Sequence, residues 1–405
     1  MKVLYITYDG ILDQLGASQI LPYIYGIAKN KNKVHILSFE KKGRFCRYSK
    51  TTKENLYSKS IDWTPLSFTS GLGVMGKIFD LFRMYITAFV LNYSKSFDVI
   101  HARGHISAEV GLFLKNLFKT KLIFDFRGLW VDERVDKGGW QLSRPIDRLQ
   151  YLIYKRKERK LLRSSDRLVV LTKSVIPELI RLGVKKKEKI TVIPCCSDFD
   201  HFKVFESNLK HETRASICIP KKAFVIGYLG SVGKMYRLDA YLDLFSLSLQ
   251  KRNDTFGLVI TNNVSEFHKI LRGYNKKLSR NLIIVSAERD EVPRLLSCID
   301  VITSFIEPTY AKISSSPTKI AEAFAEGIPV ICNTGIGDTE EIISVVKGGI
   351  TIPDFSYESI KNAYLNLDNV AKLGGVGLRQ RSKSILSLKR ANSLYRNIYK
   401  DILSD

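Results

Sequence analysis

Residues 314–330 read Ser-Ser-Ser-Pro-Thr-Lys-Ile-Ala-Glu-Ala-Phe-Ala-Glu-Gly-Ile-Pro-Val. Ser316 is a good helix N-cap and Pro317 suits the first helical position. A helix opened this way presents unpaired backbone N–H groups and the positive end of its dipole. Thr318 adds a hydroxyl and Lys319 a charge in the same turn. Together, Ser314, Ser315, Ser316, Pro317, Thr318 and Lys319 form an expected phosphate seat. Glu322 follows one turn on, Gly327 is placed to end the helix, and 328–332 read as the next strand. A phosphate seat beside a fixed carboxylate suits a nucleotide, with the diphosphate on the helix end and the ribose on Glu322. The competing reading is an ordinary capped helix feeding a buried strand.

The rest of the chain reads as parallel α/β layers. Its 405 residues suffice for two domains with separate cores. Strand-like and helix-like stretches alternate throughout. Expected strands in the first half are 2–8, 33–39, 97–102, 121–126, 168–172 and 190–193, with helices over about 19–30 and 107–117. The first strand starts at residue 2 or 3, leaving no room before it for a signal peptide. The six cysteines form no CxxC pair and the six histidines show no metal-ligand spacing, so reduced, mostly buried thiols are expected. Gly16, Ala17 and Ser18 place small residues ahead of a helix at the carboxyl end of the first strand, where open α/β sheets bind ligands. A loop glycine kept for backbone freedom explains Gly16 equally well.

The segment 314–330 resembles the donor-site signature of the retaining glycosyltransferases of family 4, which have the GT-B fold. In that signature a helix carries two Glu separated by seven residues, then Ala, a small residue, Gly and Pro-Val. Residues 322–330, Glu-Ala-Phe-Ala-Glu-Gly-Ile-Pro-Val, match its second half; the first Glu is replaced by Ser314. Residues 8–23 look like the family's first glycine loop and helix. Residues 124–130, Phe-Asp-Phe-Arg-Gly-Leu-Trp, lie where many members have a strand ending in an active-site His, and Arg127 stands at or next to that position. Residues 192–202 look like the interdomain segment, with Cys196 in place of the usual Gly.

The resemblance implies an α/β protein of two doubly wound Rossmann-like domains with a cleft between them. Residues 1–204 would form the acceptor-side domain and 205–383 the donor domain. Residues 384–405 would form a terminal helix crossing back to the first. Residues 203–222, polar and without apolar period, read as a linker. Strand 224–230 runs into Gly230-Ser231-Val232-Gly233-Lys234 and a helix over about 238–249. Here Gly230, Ser231, Gly233 and Lys234 are candidate diphosphate contacts, although a turn serving only packing is an equal competitor. The family commonly has Arg and Lys where this chain has Ser231 and Tyr236, so Lys234 or Arg237 would replace them. Strands 258–261, 282–285 and 301–305 follow.

Charge bears on partners. There are 64 Lys and Arg against 40 Asp and Glu, a net charge of +24. Residues 41–60 carry seven basic side chains and one acid; residues 155–167 carry seven and two. No helix-turn-helix, zinc or aromatic-platform signature accompanies them, so nucleic acid is not the expected partner. Anionic lipid is expected instead, with a solvated basic surface as the competing reading. Residues 78–91 form an apolar helix interrupted by Asp80 and Arg83, too short to span a bilayer. Burial is the usual fate of such a helix, and membrane contact the lesser reading.

The expected activity is transfer of a sugar, with retention, from a nucleotide diphosphate sugar to a glycan or lipid-linked acceptor. The setting would be the inner face of the plasma membrane, in surface polysaccharide assembly. Arg127, Lys319 and Glu322 are the catalytic candidates, and no metal or other cofactor is expected. Alternatives are another GT-B enzyme, such as a nucleotide-sugar epimerase, and a non-catalytic binding protein of a glycan pathway.

Overall fold

The computed structural model describes residues 1–29, 32–69, 71–274 and 278–404, with the backbone alone at Val74. They form two compact units: Met1–Pro194 with Lys389–Asp405, and Cys195–Leu388. The first division lies ahead of the boundary expected near 205, and the second beyond the one expected at 383.

The first unit is built on seven strands: β1 (Lys2–Thr7), β2 (Lys33–Glu40), β3 (Ile61–Ser67), β4 (Val99–Arg103), β5 (Lys121–Asp125), β6 (Arg167–Val170) and β7 (Ile190–Val192). All neighbours are parallel, in the order β3-β2-β1-β4-β5-β6-β7. Val3 of β1 sits opposite Val34 on one side and Val99 on the other. Parallel strands covered on both faces read as continuous apolar runs, and β1 is buried from Val3 to Thr7. Strand β3 escaped the sequence reading because Pro65 interrupts it. A proline is tolerated in a strand at the sheet edge, where β3 lies. Helix Leu388–Asp401 completes this unit. Its Tyr395 ring packs 5.8 Å from that of Tyr23, and the Tyr399 hydroxyl lies 2.6 Å from His101 Nδ1.

The helix expected from Gln19 to Asn30 is two helices, Gln14–Gln19 and Leu21–Ala28, and Asn30 lies outside the described residues. The break falls at Ile20 (φ −124°, ψ −66°), just ahead of Pro22, which cannot donate a backbone hydrogen bond. Gly16, Ala17 and Ser18 therefore lie within a helix rather than ahead of one. A Cβ on Gly16 would meet the carbonyl oxygens of Gly10 and Ile11 at 2.4 Å.

The second unit has six parallel strands: β8 (Phe224–Leu229), β9 (Thr255–Ile260), β10 (Leu282–Val285), β11 (Val301–Ser304), β12 (Val330–Asn333) and β13 (Gly349–Ile352). Their order is β10-β9-β8-β11-β12-β13. The supposed linker contains a helix, Ser207–Ser216. Its inward side is polar: buried Arg214 donates to the carbonyls of Cys298 and Ala223 and to Asp300. No apolar period betrays such a helix. Cys195, Cys196, Cys298 and Cys332 are buried, whereas Cys46 and Cys218 are exposed.

Between β11 and β12 the motif helix spans Thr318–Ala325. Ile320, Ala321, Ala323 and Phe324 are packed in the core. Gly327, at φ +73°, turns the chain out of it; a Cβ there would lie 2.5 Å from the Gly375 carbonyl oxygen. Glu326, next to the helix end, is buried with neither carboxylate oxygen hydrogen-bonded. Burial pushes its carboxyl up from 4.5 to about 10, so it is protonated in the folded chain at neutral pH.

Two consequences can be measured by denaturant unfolding. Gly16→Ala forces a methyl group against two carbonyl oxygens and is expected to cost about 1–3 kcal/mol; unchanged stability would leave Gly16 with only a ligand-facing role. For Glu326, the folded state holds a proton that the unfolded state releases above pH 4.5. Its contribution is therefore complete below pH 4.5 and lost as pH rises toward 10. Glu326→Gln should raise stability near pH 7 by at least about 1.4 kcal/mol, the equivalent of one pKa unit, and the gain should vanish below pH 4.5.

Candidate functional site

In the second unit the chain works outward from β8 to β9 and β10, then crosses over to β11 on the other side of β8. The loops leaving the carboxyl ends of β8 and β11 therefore diverge. A crevice opens at this point in doubly wound sheets, and ligands bind there. The loop after β8 starts with Gly230, and the segment after β11 leads through a short 3-10 turn, Tyr310–Ser314, to the motif helix.

Lys319 lies in the first turn of that helix. A Cβ on Gly230 would come within 3.1 Å of its Nζ, so glycine is the residue that lets the loop pass this close. The side chain as a whole is half-buried, but its Nζ is buried and has no hydrogen-bond acceptor among the described residues. The rings of Tyr228 and Tyr236 flank it, with centroids 4.4 and 5.1 Å away. Burial lowers the ammonium from 10.5 to about 7, while Glu322 pulls it partly back. The result is a cation kept dry at the positive end of a helix dipole. An anion entering here would find a hydrogen-bond donor that the protein itself does not use.

The neighbouring candidates are more committed. Helix formation starts at Thr318, not Pro317; Pro317 is extended at φ −69°, ψ 114°. Ser316 does not cap the helix, because its Oγ accepts the Cys195 N–H at 3.0 Å. A contact distant in sequence thus outcompetes the local cap. Ser315 N–H donates to the Lys312 carbonyl at 3.0 Å. Ser314 is buried and donates its hydroxyl to the Ala311 carbonyl at 2.6 Å, closing the 3-10 turn. Glu322 is buried and accepts a hydrogen bond from Arg289, whose guanidinium stacks 4.7 Å from the Phe202 ring centroid. Arg289 had no motif to mark it in the sequence.

In the loop after β8, the Ser231 carbonyl accepts the Tyr228 hydroxyl at 2.6 Å. Gly233 faces open space and Lys234 is exposed. Arg237, the other proposed stand-in, is already held by Asp239 at 2.6 Å and Glu307 at 3.2 Å, over the Phe355 ring. The structure thus brings Gly230 and Lys319 together, with Glu322 one turn along, and leaves Lys234 in solvent.

The first unit has a polar cluster of its own at the ends of β4 and β5, beside β1. Buried Asp125 faces Arg103 Nη1 at 3.4 Å, Arg127 Nη1 at 3.7 Å and His101 Nε2 at 4.0 Å. Arg103 Nε lies 3.8 Å from Asp9. Burial lowers His101 to about 4, so its imidazole is neutral despite Asp125. Arg127 has a left-handed backbone, φ +57°, which is uncommon for a residue with a side chain. Of this group the sequence reading selected Arg127 alone. The available signal was polar residues within and at the end of buried strands, His101 and Arg103 on β4 and Asp125 on β5. Gly16 packs against the carbonyl oxygens of Gly10 and Ile11. Among the described residues no group of three or more His, Cys, Asp or Glu is placed to hold a metal ion.

Residues 62–196 match the family model described as a glycosyl transferase 4-like domain. No curated protein matches the sequence. Among solved structures, the chain is similar to HepE from Anabaena in complex with UDP and glucose, at 15% identity and a TM-score of 0.72, covering 99% of this chain and 100% of that one. It is similar to sucrose-phosphate synthase from Thermosynechococcus elongatus at 14% identity and 0.72, covering 100% and 99%. A glycosyltransferase from Rickettsia africae gives 17% identity and 0.70, covering 100% and 99%. At these identities the likeness is one of fold. The chain therefore resembles a glycosyl transferase 4-like domain over residues 62–196 and has the GT-B fold of these solved structures.

Proposed function

We propose that the protein is a retaining, metal-independent glycosyltransferase. It moves a sugar from a nucleotide diphosphate sugar to a glycan or lipid-linked acceptor at the cytoplasmic face of an anionic membrane, in surface polysaccharide assembly. The observation that carries this reading is the dry, unpartnered Lys319 ammonium at the start of the motif helix, beside Gly230. A nucleoside diphosphate supplies the anion such a group lacks. The UDP in the Anabaena neighbour makes uridine nucleotides the first to test.

In this reading the bond between the sugar and the diphosphate breaks as the acceptor hydroxyl bonds to the same carbon from the same face. The hydroxyl proton passes to the departing phosphate oxygen. Negative charge grows on the diphosphate as it leaves, and preorganised donors are most valuable where charge develops. Lys319 and the backbone N–H groups at Thr318 supply them. Glu322, steadied by Arg289, takes the ribose hydroxyls. Arg127 is assigned to the reacting sugar on the strength of its place at the end of β5 and its left-handed backbone. The excess of basic residues draws the enzyme to anionic lipid, where a lipid-linked acceptor would reside.

A thermal-shift screen of UDP, GDP, ADP and their sugars tests the donor site. One nucleotide should raise the melting temperature, and Lys319→Met should weaken its binding by roughly 1.5–3 kcal/mol, the worth of a charged hydrogen bond. Because the free ammonium titrates at about 7, binding above that pH should take up a proton and weaken as pH rises. Calorimetry in buffers of different ionisation enthalpy reads that proton. Equal affinity of Lys319→Met and parent would sink the assignment.

The diphosphate's charge is met here by protein groups, so turnover should survive EDTA unchanged. Loss of activity in EDTA with recovery on adding magnesium or manganese would show instead that a metal neutralises the leaving group.

A further inference from the structure

Three helices of the first unit leave large apolar side chains in water. Along helix Gly73–Lys95, Met75, Ile78, Phe79, Phe82, Ile86 and Val90 are all exposed, Phe82 by 60%. Their spacing of three and four residues draws one stripe. From Met75 to Tyr93, also exposed, it runs about 27 Å at the helical rise. This contradicts the expectation that the apolar helix is buried: only its opposite side, with Met84 and Ala88, enters the core. Beside it lies helix Gly104–Phe118, where exposed Phe113 packs its ring 5.3 Å from Tyr85.

Helix Pro145–Ser164 flanks the same neighbour, tied to it by Lys157–Glu109 at 2.6 Å and His105–Glu158 at 2.8 Å. Ile146, Leu149, Leu152 and Ile153 are exposed on its first turns. Arg156, Arg159, Lys160 and Arg163 continue the same exposed side. No carboxylate on this helix is exposed. Asp147 is half-buried and accepts the Gln141 N–H, and Glu158 is buried with Lys155 at 2.5 Å. Asp132 also accepts from Lys155, at 2.9 Å. The helix is therefore pinned from within by ion pairs; outward it shows four large apolar side chains, beside Arg148 and Gln150, at one end and only cations at the other.

Large apolar side chains exposed in such number mark an interaction site. A second copy of the chain would set one cationic stripe against another, in molecules of net charge +24. An anionic membrane meets both halves: lipid phosphates face the arginines, and the acyl boundary takes the apolar side chains. Among the described residues no helix is long and apolar enough to cross a membrane. We propose that this three-helix face lies in the surface of an anionic bilayer, with the 75–93 stripe and Ile146–Ile153 inserted below the headgroups and Arg156–Arg163 at headgroup level. The inference extends the membrane element of the proposed function and is independent of its donor chemistry.

The test is co-sedimentation with vesicles of equal parts phosphatidylglycerol and phosphatidylcholine, with no nucleotide present. The parent protein should bind, and a bound fraction should survive high salt because insertion is not screened. A variant carrying Phe79→Ser, Phe82→Ser and Ile86→Ser should lose roughly tenfold or more in apparent affinity, as should Leu149→Ser with Ile153→Ser. Both should keep the parent's melting temperature, since the altered side chains are exposed. Parent-like vesicle binding by both variants would overturn the proposal. So would complete release of the parent by salt, or a lipid-free dimer that the variants dissolve. A failed nucleotide screen leaves all of these readouts intact.

Discussion

An ammonium deprived of water organises the second unit. Lys319 is carried into its position by a helix whose other side is core, and the loop of Gly230 closes over its tip. The rings of Tyr228 and Tyr236 flank it and offer it their faces. Such a group is held near neutrality by burial, and any anion that reaches it restores its charge. The order of strands explains why an anion can reach it. The chain turns away from β8 in both directions, so the loops that follow β8 and β11 diverge beside it. Sheet topology and a single desolvated side chain together make up the proposed seat.

What could be read from the sequence followed the range of the forces involved. Strands such as β1 and β8 are long apolar runs and announce themselves. The motif helix is legible because Ile320, Ala323 and Phe324 fall on one side and Gly327 ends it. Its exact start is not, since Ser316 is claimed by Cys195, far away in sequence. The same holds for Arg289, which reaches Glu322 from the turn after β10, and for Arg214, whose helix faces inward with a guanidinium. Local patterns cannot reveal pairings whose partners are scores of residues distant.

Polar residues at strand ends gave a signal of intermediate strength. His101 interrupts the apolar pattern in the middle of β4, and Arg103 and Asp125 interrupt it where β4 and β5 stop. Their meaning emerges only when the two strands are set side by side in register, Arg103 against Asp125. Gly16 shows how one glycine can answer to its own chain: whatever else approaches it, the turn at Gly10 and Ile11 already leaves no room for a Cβ.

The path of the chain has an effect on how the molecule comes into being. It leaves the first unit after Pro194 and returns to it only at Lys389. The outgoing and returning segments run side by side: Ser197 donates to the Leu386 carbonyl and accepts from Leu388. On a ribosome the whole second unit is therefore made before the first can finish. Until Tyr395 and Tyr399 arrive, His101 lacks the aromatic cover that they give it, and the nascent protein carries an open seam through the synthesis of its entire second half. The earliest-made unit is the last to close, and the interval is set by translation rather than by any folding rate of its own.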